Sequence, residues 1–255
     1  MENKTTIFDI QAEVGLTKQL GGFKATKELI QLCHIDRGKY VLDVGCGVGV
    51  TPCYIAKRHG CRVVGVDVRQ RMINWSNERA KREGVEDRVE FRVADAQDLP
   101  LKDGLFDVVI GESITAFLED KQRAVNEYTR VTKPGGYVGL NESTWIKAPP
   151  PTELVEFLAS DLSGKAEILT SDAWLGLLEC SGLRDIAVRI YKTNNLSESI
   201  NFIRRYGLRG LLAISYRSLS LYRRDLAYRN IAKEAGSMPK NLLEYMGYGI
   251  YVGRK

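Results

Sequence analysis

Apolar residues along this chain fall into two rhythms. Short apolar runs at 40–44, 62–67, 88–94, 106–111, 136–142 and 183–192 predict strands. The stretches 50–59, 70–83, 120–132 and 171–183 repeat their apolar positions at helical spacing, with glycine or proline at the joints. Residues 24–35 place Leu29, Ile30, Leu32 and Cys33 near one face and predict a helix leading into the first strand. Alternating strands and helices predict an α/β protein with a parallel sheet and helices on both faces. Its ligand is expected at the carboxyl ends of the strands, near the point where the strand order reverses.

Two later regions do not belong to that pattern. Residues 143–164 read as a proline-broken loop and a short helix, and a last strand begins only at 247. Strands that pair as a hairpin need only a few connecting residues, so 194–246 must build structure of its own. Ile200, Ile203, Leu208, Leu211, Leu212, Leu219, Tyr222, Leu226 and Ile231 recur there at roughly helical spacing, which predicts two or three amphipathic helices. The chain divides into a lead-in (1–37), a core (38–193 with 247–255) and a helical insertion (194–246).

The chemistry is concentrated where the first strand meets its helix. That strand runs into Gly45-Cys46-Gly47-Val48-Gly49, and 22 positions after Gly45 the second strand ends in Asp67. Gly45 and Gly47, having no β-carbon, permit positive φ and close approach of a ligand to the main chain. A carboxylate at Asp67 accepts hydrogen bonds from both hydroxyls of an unphosphorylated ribose. A nicotinamide or flavin fingerprint needs a glycine where Val50 stands, and a polyphosphate loop needs Gly-Lys-Ser/Thr where the chain reads Val50-Thr51-Pro52. What remains is a Gly-x-Gly-x-Gly loop preceded by Asp43.

With VLDVGCGVGVT (41–51), VVGVDV (63–68), VEFRVADAQDLPLKDGLFDVVIGES (89–113) and VTKPGGYVGL (131–140) in this order, the chain resembles the class I S-adenosylmethionine-dependent methyltransferases. The likeness is to the small-molecule branch that includes the quinone and sterol C-methyltransferases, and it covers roughly 38–193 and the last nine residues. It implies a Rossmann-like, doubly wound, mostly parallel seven-stranded sheet with an antiparallel last strand. It implies S-adenosyl-L-methionine as cofactor, S-adenosyl-L-homocysteine as its product, and a cofactor site drawn from Asp43, Gly45, Cys46, Gly47, Asp67, Val68, Met72, Asp95, Ala96 and Glu112. Asp95 and Ala96 are expected beside the adenine amine. Val68 and Met72 read equally as walls for the adenine ring or as ordinary helix-start core, and Cys46 as a small residue in a tight turn. Residues 7–29 are expected to close over the cofactor, with Gly21-Gly22 near its methionine end and Phe8, Leu20 and Phe23 lining the pocket.

Glu112-Ser113 ends the fourth strand, beside the expected place of the methyl group. Enzymes that methylate the amino groups of bases carry Asn/Asp-Pro-Pro followed by an aromatic there, whereas this chain has Gly111-Glu112-Ser113-Ile114, which disfavours that reaction. Methyl transfer needs an oriented acceptor and excluded water, and a general base only when the acceptor must lose a proton. Neither His34 nor His59 lies near a motif. Glu112 is therefore the candidate catalytic residue, either holding the cofactor or serving the acceptor, while Glu142 reads first as structural.

Composition adjusts this picture at three points. A 255-residue chain with 44% hydrophobic content buries a substantial core. It has no 18-residue apolar run and no apolar signal core in MENKTTIFDI, so a soluble cytoplasmic protein is expected. Five cysteines without a C-x-x-C pair, and two histidines, predict no metal site and no disulfide framework. The charge is unevenly spread: the net +5 of the chain is matched by nine basic and four acidic residues in the insertion alone. That leaves three readings of the insertion. It is a substrate lid or homodimer surface, an electrostatic footprint for an anionic acceptor including RNA, or a membrane-surface helix. The expected function is methyl transfer to a small or medium organic acceptor. The alternatives are an RNA methyltransferase and a non-catalytic, cofactor-binding regulatory protein.

Overall fold

A computed structural model describes residues 6–161, 167–235, 239 and 241–255. Its sheet contains β1 (Tyr40–Val44), β2 (Arg62–Asp67), β3 (Val89–Val93), β4 (Phe106–Glu112), β5 (Thr132–Trp145), β6 (Leu169–Thr170), β7 (Arg184–Tyr191) and β8 (Met246–Arg254). The order is β3-β2-β1-β4-β5-β8-β7. Strands β1 to β5 are parallel, and β8 lies antiparallel between β5 and β7. This is the Rossmann-like, mostly parallel arrangement expected from the sequence, with one added strand. The addition is β6, two residues pairing parallel with Thr144 and Trp145.

Strand β5 runs past the expected end at 142. Ser143, Thr144 and Trp145 also pair with β8, where the sequence had suggested a loop. The polar run Asn141-Glu142-Ser143-Thr144 is buried, and most of its groups find partners there, although the Asn141 Oδ1 has none among the described residues. Thr144 Oγ1 and Tyr251 Oη lie 2.9 Å apart, and Trp174 Nε1 donates to the Ser143 carbonyl at 3.2 Å. Polar residues that carry their own partners into a core look like loop to a hydropathy reading.

The helices are α1 (Ile7–Val14), α2 (Gly22–Leu32), α3 (Val50–His59), α4 (Gln70–Glu83), α5 (Lys121–Val131), α6 (Thr152–Asp161), α7 (Ser171–Cys180), α8 (Asn195–Arg224), α9 (Leu226–Ala235) and α10 (Leu242–Tyr245). Alternate residues of each central strand point to opposite faces, so the sheet has two cores. Leu42, Val64 and Val109 pack with Val125 and Tyr128 of α5 and Trp174 of α7. Val41, Val63 and Val108 pack with Leu29 of α2, Ile55 of α3 and Ile73 of α4. Burial on both faces explains why these strands read as continuous apolar runs.

Helices do form in the insertion, but their apolar stripe is not what docks them. Ile200, Ile203, Leu208, Leu212, Leu219, Tyr222 and Leu226 are exposed, with Leu208 at 77%. Apart from the buried Ile214, the inward contacts of α8 come from polar side chains, which meet the backbone of the lead-in. Glu198 Oε1 accepts from Gly21 N at 3.2 Å, and Tyr206 Oη donates to the Thr17 carbonyl at 2.7 Å. Arg217 Nε donates to the Val14 carbonyl at 2.7 Å while its guanidinium lies 4.8 Å from the Trp75 ring centroid. Helix α8 is interrupted at Gly207, whose φ of 64° and ψ of 172° are not helical. Among the described residues no helix is long and apolar enough to cross a membrane.

Candidate functional site

The carboxyl ends of β1, β2 and β4 open onto a cavity of about 400 Å³. The turn leaving β1 sets its floor. Gly45 N and Cys46 N both donate to the Val66 carbonyl, at 2.8 and 2.9 Å, which folds the loop back onto β2. Gly45 has φ +71°, and a Cβ there would stand 2.6 Å from Ile114 Cγ1. Gly47 has φ +54°, and a Cβ there would run into Thr17 Cγ2. Both positions therefore exclude side chains twice over, by backbone conformation and by space. Ser76 Oγ donates to the Gly47 carbonyl at 2.8 Å and fixes the turn from the α4 side.

Asp67 ends β2 with both carboxylate oxygens engaged. Oδ2 accepts from Gly47 N at 3.1 Å and Oδ1 from Arg69 N at 2.9 Å, so the carboxylate joins the glycine turn to the start of α4. Burial pushes its carboxyl above the ordinary carboxylate value, against the pull of these two N–H groups. Beside it Arg69 Nε bonds Asp9 Oδ1 at 2.9 Å and its guanidinium lies 5.4 Å from the Phe8 ring centroid, which pins α1 over this end of the cavity. Trp75 Nε1 adds a bond to the Ala12 carbonyl at 2.9 Å.

Glu112, at the end of β4, is held by four side chains from separate parts of the chain. Oε2 accepts from Gln19 Nε2 at 2.8 Å, Thr26 Oγ1 at 2.9 Å and Asn141 Nδ2 at 3.5 Å, and Oε1 accepts from Thr51 Oγ1 at 2.7 Å. The next residue, Ser113, has φ +56°, a conformation unfavourable for a residue with a β-carbon, and its buried hydroxyl has no partner among the described residues. Asp43 on β1 is buried, and its carboxylate faces the same cavity. Burial raises its carboxyl well above the ordinary range; the nearby Glu112 charge adds to this and Arg205 opposes it.

All ten residues nominated for the cofactor line this one cavity: Asp43, Gly45, Cys46, Gly47, Asp67, Val68, Met72, Asp95, Ala96 and Glu112. Val68 is 57% exposed on its wall, whereas Met72 is buried against Ala12, Val48 and Val50. Asp95 faces the cavity and also closes a local turn, accepting from Gln97 N at 2.9 Å. The Cys46 thiol is buried, which pushes it well above the range of a reactive thiolate. Of the lid residues expected to line the pocket, Phe8 does so. Leu20 instead packs on the core clusters, and Phe23 lies against Tyr54 with ring centroids 5.3 Å apart. Gly21 and Gly22 face the insertion, at Glu198 and Asn201.

Glu142 belongs to the scaffold. Its buried carboxylate accepts from the N–H groups of Ile114, Thr115 and Ala116, at 3.1, 2.8 and 3.4 Å, and so caps the turn that follows β4. Burial raises its carboxyl to about 7 despite those donors. Several residues of the cavity wall escaped the sequence reading, among them Thr17, Lys18, Gln19 and Arg205. For Arg205 a signal existed, a glycine at 207 breaking a helical pattern just after an arginine pair.

Comparison with known proteins agrees with this geometry. A family model described as a methyltransferase domain (Methyltransf_11) matches residues 42–140, the span from β1 into β5. An uncharacterised protein of Haemophilus influenzae is 32% identical over 178 residues, which are 69% of this chain and 70% of that one. A phosphoethanolamine N-methyltransferase of Arabidopsis thaliana is 33% identical over 138 residues, 54% of this chain but only 28% of the plant enzyme. Among solved structures, that of the [4+2]-cyclase SpnF superposes with a TM-score of 0.71 at 23% identity, over 91% of this chain and 80% of that one, a likeness of fold. Residues 42–140 therefore carry a methyltransferase domain of the Methyltransf_11 family, with the glycine turn, the Asp67 strand end and the sheet order as its frame.

Proposed function

We propose that this protein transfers the methyl group of S-adenosyl-L-methionine to a small or medium organic acceptor and releases S-adenosyl-L-homocysteine. The observation that carries the reading is the convergence of the Gly45–Gly47 turn, Asp43, Asp67 and Glu112 on one cavity. The residues present suit the cofactor. The glycine turn is a surface that side chains cannot occupy. Asp67 offers a fixed carboxylate to ribose hydroxyls, and Asp95 with Ala96 offers polar groups to the adenine amine. Asp43, buried without a hydrogen-bond donor among the described residues, suits the cofactor's ammonium group. When bound, the cofactor supplies an electrophilic methyl group on a sulfonium whose charge is lost on transfer.

The chain's own contribution is to hold, orient and exclude water. We read residues 6–32 and α8 as a two-part lid: Thr17 N donates to Tyr206 Oη at 2.6 Å, and Arg217 and Glu198 bind the lead-in backbone on either side. Glu112 fastens that lid to the core through Gln19 and Thr26, which makes it a positioning residue. A cavity of about 400 Å³ lies within the ~300–1,000 Å³ range of ligand pockets, a size that suits the cofactor.

The fold alone does not dictate this chemistry, since a [4+2]-cyclase shares it. The test is incubation with methyl-labelled S-adenosylmethionine and a metabolite extract. Label in a small organic product is the expected result. Label confined to an RNA fraction rejects the small-molecule acceptor, and cofactor binding without any labelled product rejects the enzyme reading.

A further inference from the structure

The insertion reaches the cavity through one cationic side chain. Arg205 lies on α8 two residues before the break at Gly207, near a helical carboxyl end, where unpaired carbonyls favour a positive charge. Its side chain lines the cavity with Thr17, Lys18, Asp43 and Glu112. Nε and Nη1 are buried and hydrogen-bond nothing among the described residues, and Nη2 reaches only Thr17 Oγ1, at 3.4 Å. Buried guanidinium donors left unpaired oppose folding, so stability does not account for this arginine. Nor is the backbone here free to carry it away. The adjacent Tyr206 Oη takes a 2.6 Å bond from Thr17 N and gives a 2.7 Å bond to the Thr17 carbonyl.

The free donors also define the missing partner. A guanidinium is a planar fork, and with Nε and Nη1 both open each edge of the fork keeps a free donor. That geometry matches an anion with two or more oxygens in one group. Asp43 lines the same cavity, and no hydrogen bond joins it to Arg205. The two act on one another electrostatically while each is left for a ligand.

We propose that Arg205 with Thr17, and Lys18 at the rim, forms an anion subsite that takes a carboxylate or phosphate group presented inside the cavity. The anion has two sources, the carboxylate of the cofactor's methionine part or an anionic group on the acceptor. The first of these rests on the methyl-donor reading above; the subsite itself does not.

Titration calorimetry on the full chain separates the cases. The probes are S-adenosylhomocysteine, 5′-methylthioadenosine (which keeps the nucleoside and sulfur but lacks the amino acid), and inorganic phosphate added to protein saturated with S-adenosylhomocysteine. Arg205→Met should leave 5′-methylthioadenosine binding unchanged, which also reports an intact fold, and weaken one anionic probe roughly 10- to 100-fold, with Arg205→Lys recovering part of the loss. Loss for S-adenosylhomocysteine assigns the subsite to the cofactor carboxylate; loss for phosphate alone assigns it to the acceptor. Native-like binding of both anionic probes by Arg205→Met overturns the proposal, as does an equal loss for 5′-methylthioadenosine and S-adenosylhomocysteine. A native protein that binds neither nucleoside probe refutes the methyl-donor reading instead. Phosphate titrated into that protein still decides the subsite, and no binding of it there overturns the proposal.

Discussion

Replacing Glu112 should unfasten the lead-in from the core, by amounts that the geometry orders. Its carboxylate joins the lead-in (Gln19), α2 (Thr26), α3 (Thr51) and β5 (Asn141). In Glu112→Gln the amide oxygen can take the place of Oε2 and its three donors. The amide nitrogen then meets Thr51 Oγ1, a hydroxyl that can turn from donor to acceptor. Shape is kept and charge is lost, so three short bonds fall from charge-assisted to neutral strength, about 2 kcal/mol together. In Glu112→Ala some donors keep a second partner. Gln19 Nε2 retains Thr26 Oγ1 at 2.6 Å, Thr26 retains the Gly22 carbonyl at 3.3 Å, and Asn141 retains the Leu20 carbonyl at 3.2 Å. The buried Thr51 hydroxyl is stranded, and the loss rises to about 4 kcal/mol.

Denaturant unfolding measures those losses, and limited proteolysis around residues 15–20 reports whether the lead-in has come loose. Both variants should also bind S-adenosylhomocysteine more weakly, in the same order as their stability. Unchanged unfolding midpoints in both would refute the reasoning. So would a Glu112→Gln protein of native stability and affinity whose turnover of an identified acceptor falls a hundredfold, the pattern of a carboxylate acting on the reacting atoms.

Three further outcomes are expected. Asp67→Ala and Gly47→Val should each weaken S-adenosylhomocysteine binding at least tenfold, about 1.4 kcal/mol by calorimetry; near-native affinity in both refutes the cofactor site. Tyr206→Phe removes the group that bonds both N–H and carbonyl of Thr17, so amide hydrogen exchange near Thr17 should speed up, and retained protection counts against the two-part lid. Glu142, raised from an ordinary 4.5 to about 7, holds a proton in the folded state that the unfolded chain gives up. Its contribution is therefore full below about pH 4.5 and lost as pH rises through 7, up to about 3 kcal/mol. Glu142→Gln should flatten the stability profile between pH 5 and 8, and parallel profiles for the two proteins refute that assignment.

The half of the site built on local backbone requirements was legible in the sequence, and the half built on distant contacts was not. Gly45 and Gly47 are forced by positive φ and by the absence of room for a Cβ, conditions that any sequence making this turn must meet. Asp67 is forced by its position one helix and one strand later, so the floor of the cavity was readable from spacing alone. Nothing local marks Thr17 or Gln19. Each matters because of a partner far along the chain, Tyr206 at 189 positions for Thr17 and Glu112 at 93 for Gln19. The same cause misled the reading of the insertion. Hydrophobic spacing finds the helices of α8 and α9 but assumes that their apolar stripe docks them, whereas the surface that α8 meets includes lead-in backbone, which polar side chains satisfy better. Arginines that a charge count assigns to a solvated face therefore divide by register. Arg217 faces the lead-in, Arg205 faces the cavity, and Arg223 and Arg224 face solvent. Net charge singled out the segment, and only the fold shows which cation within it lines the cavity.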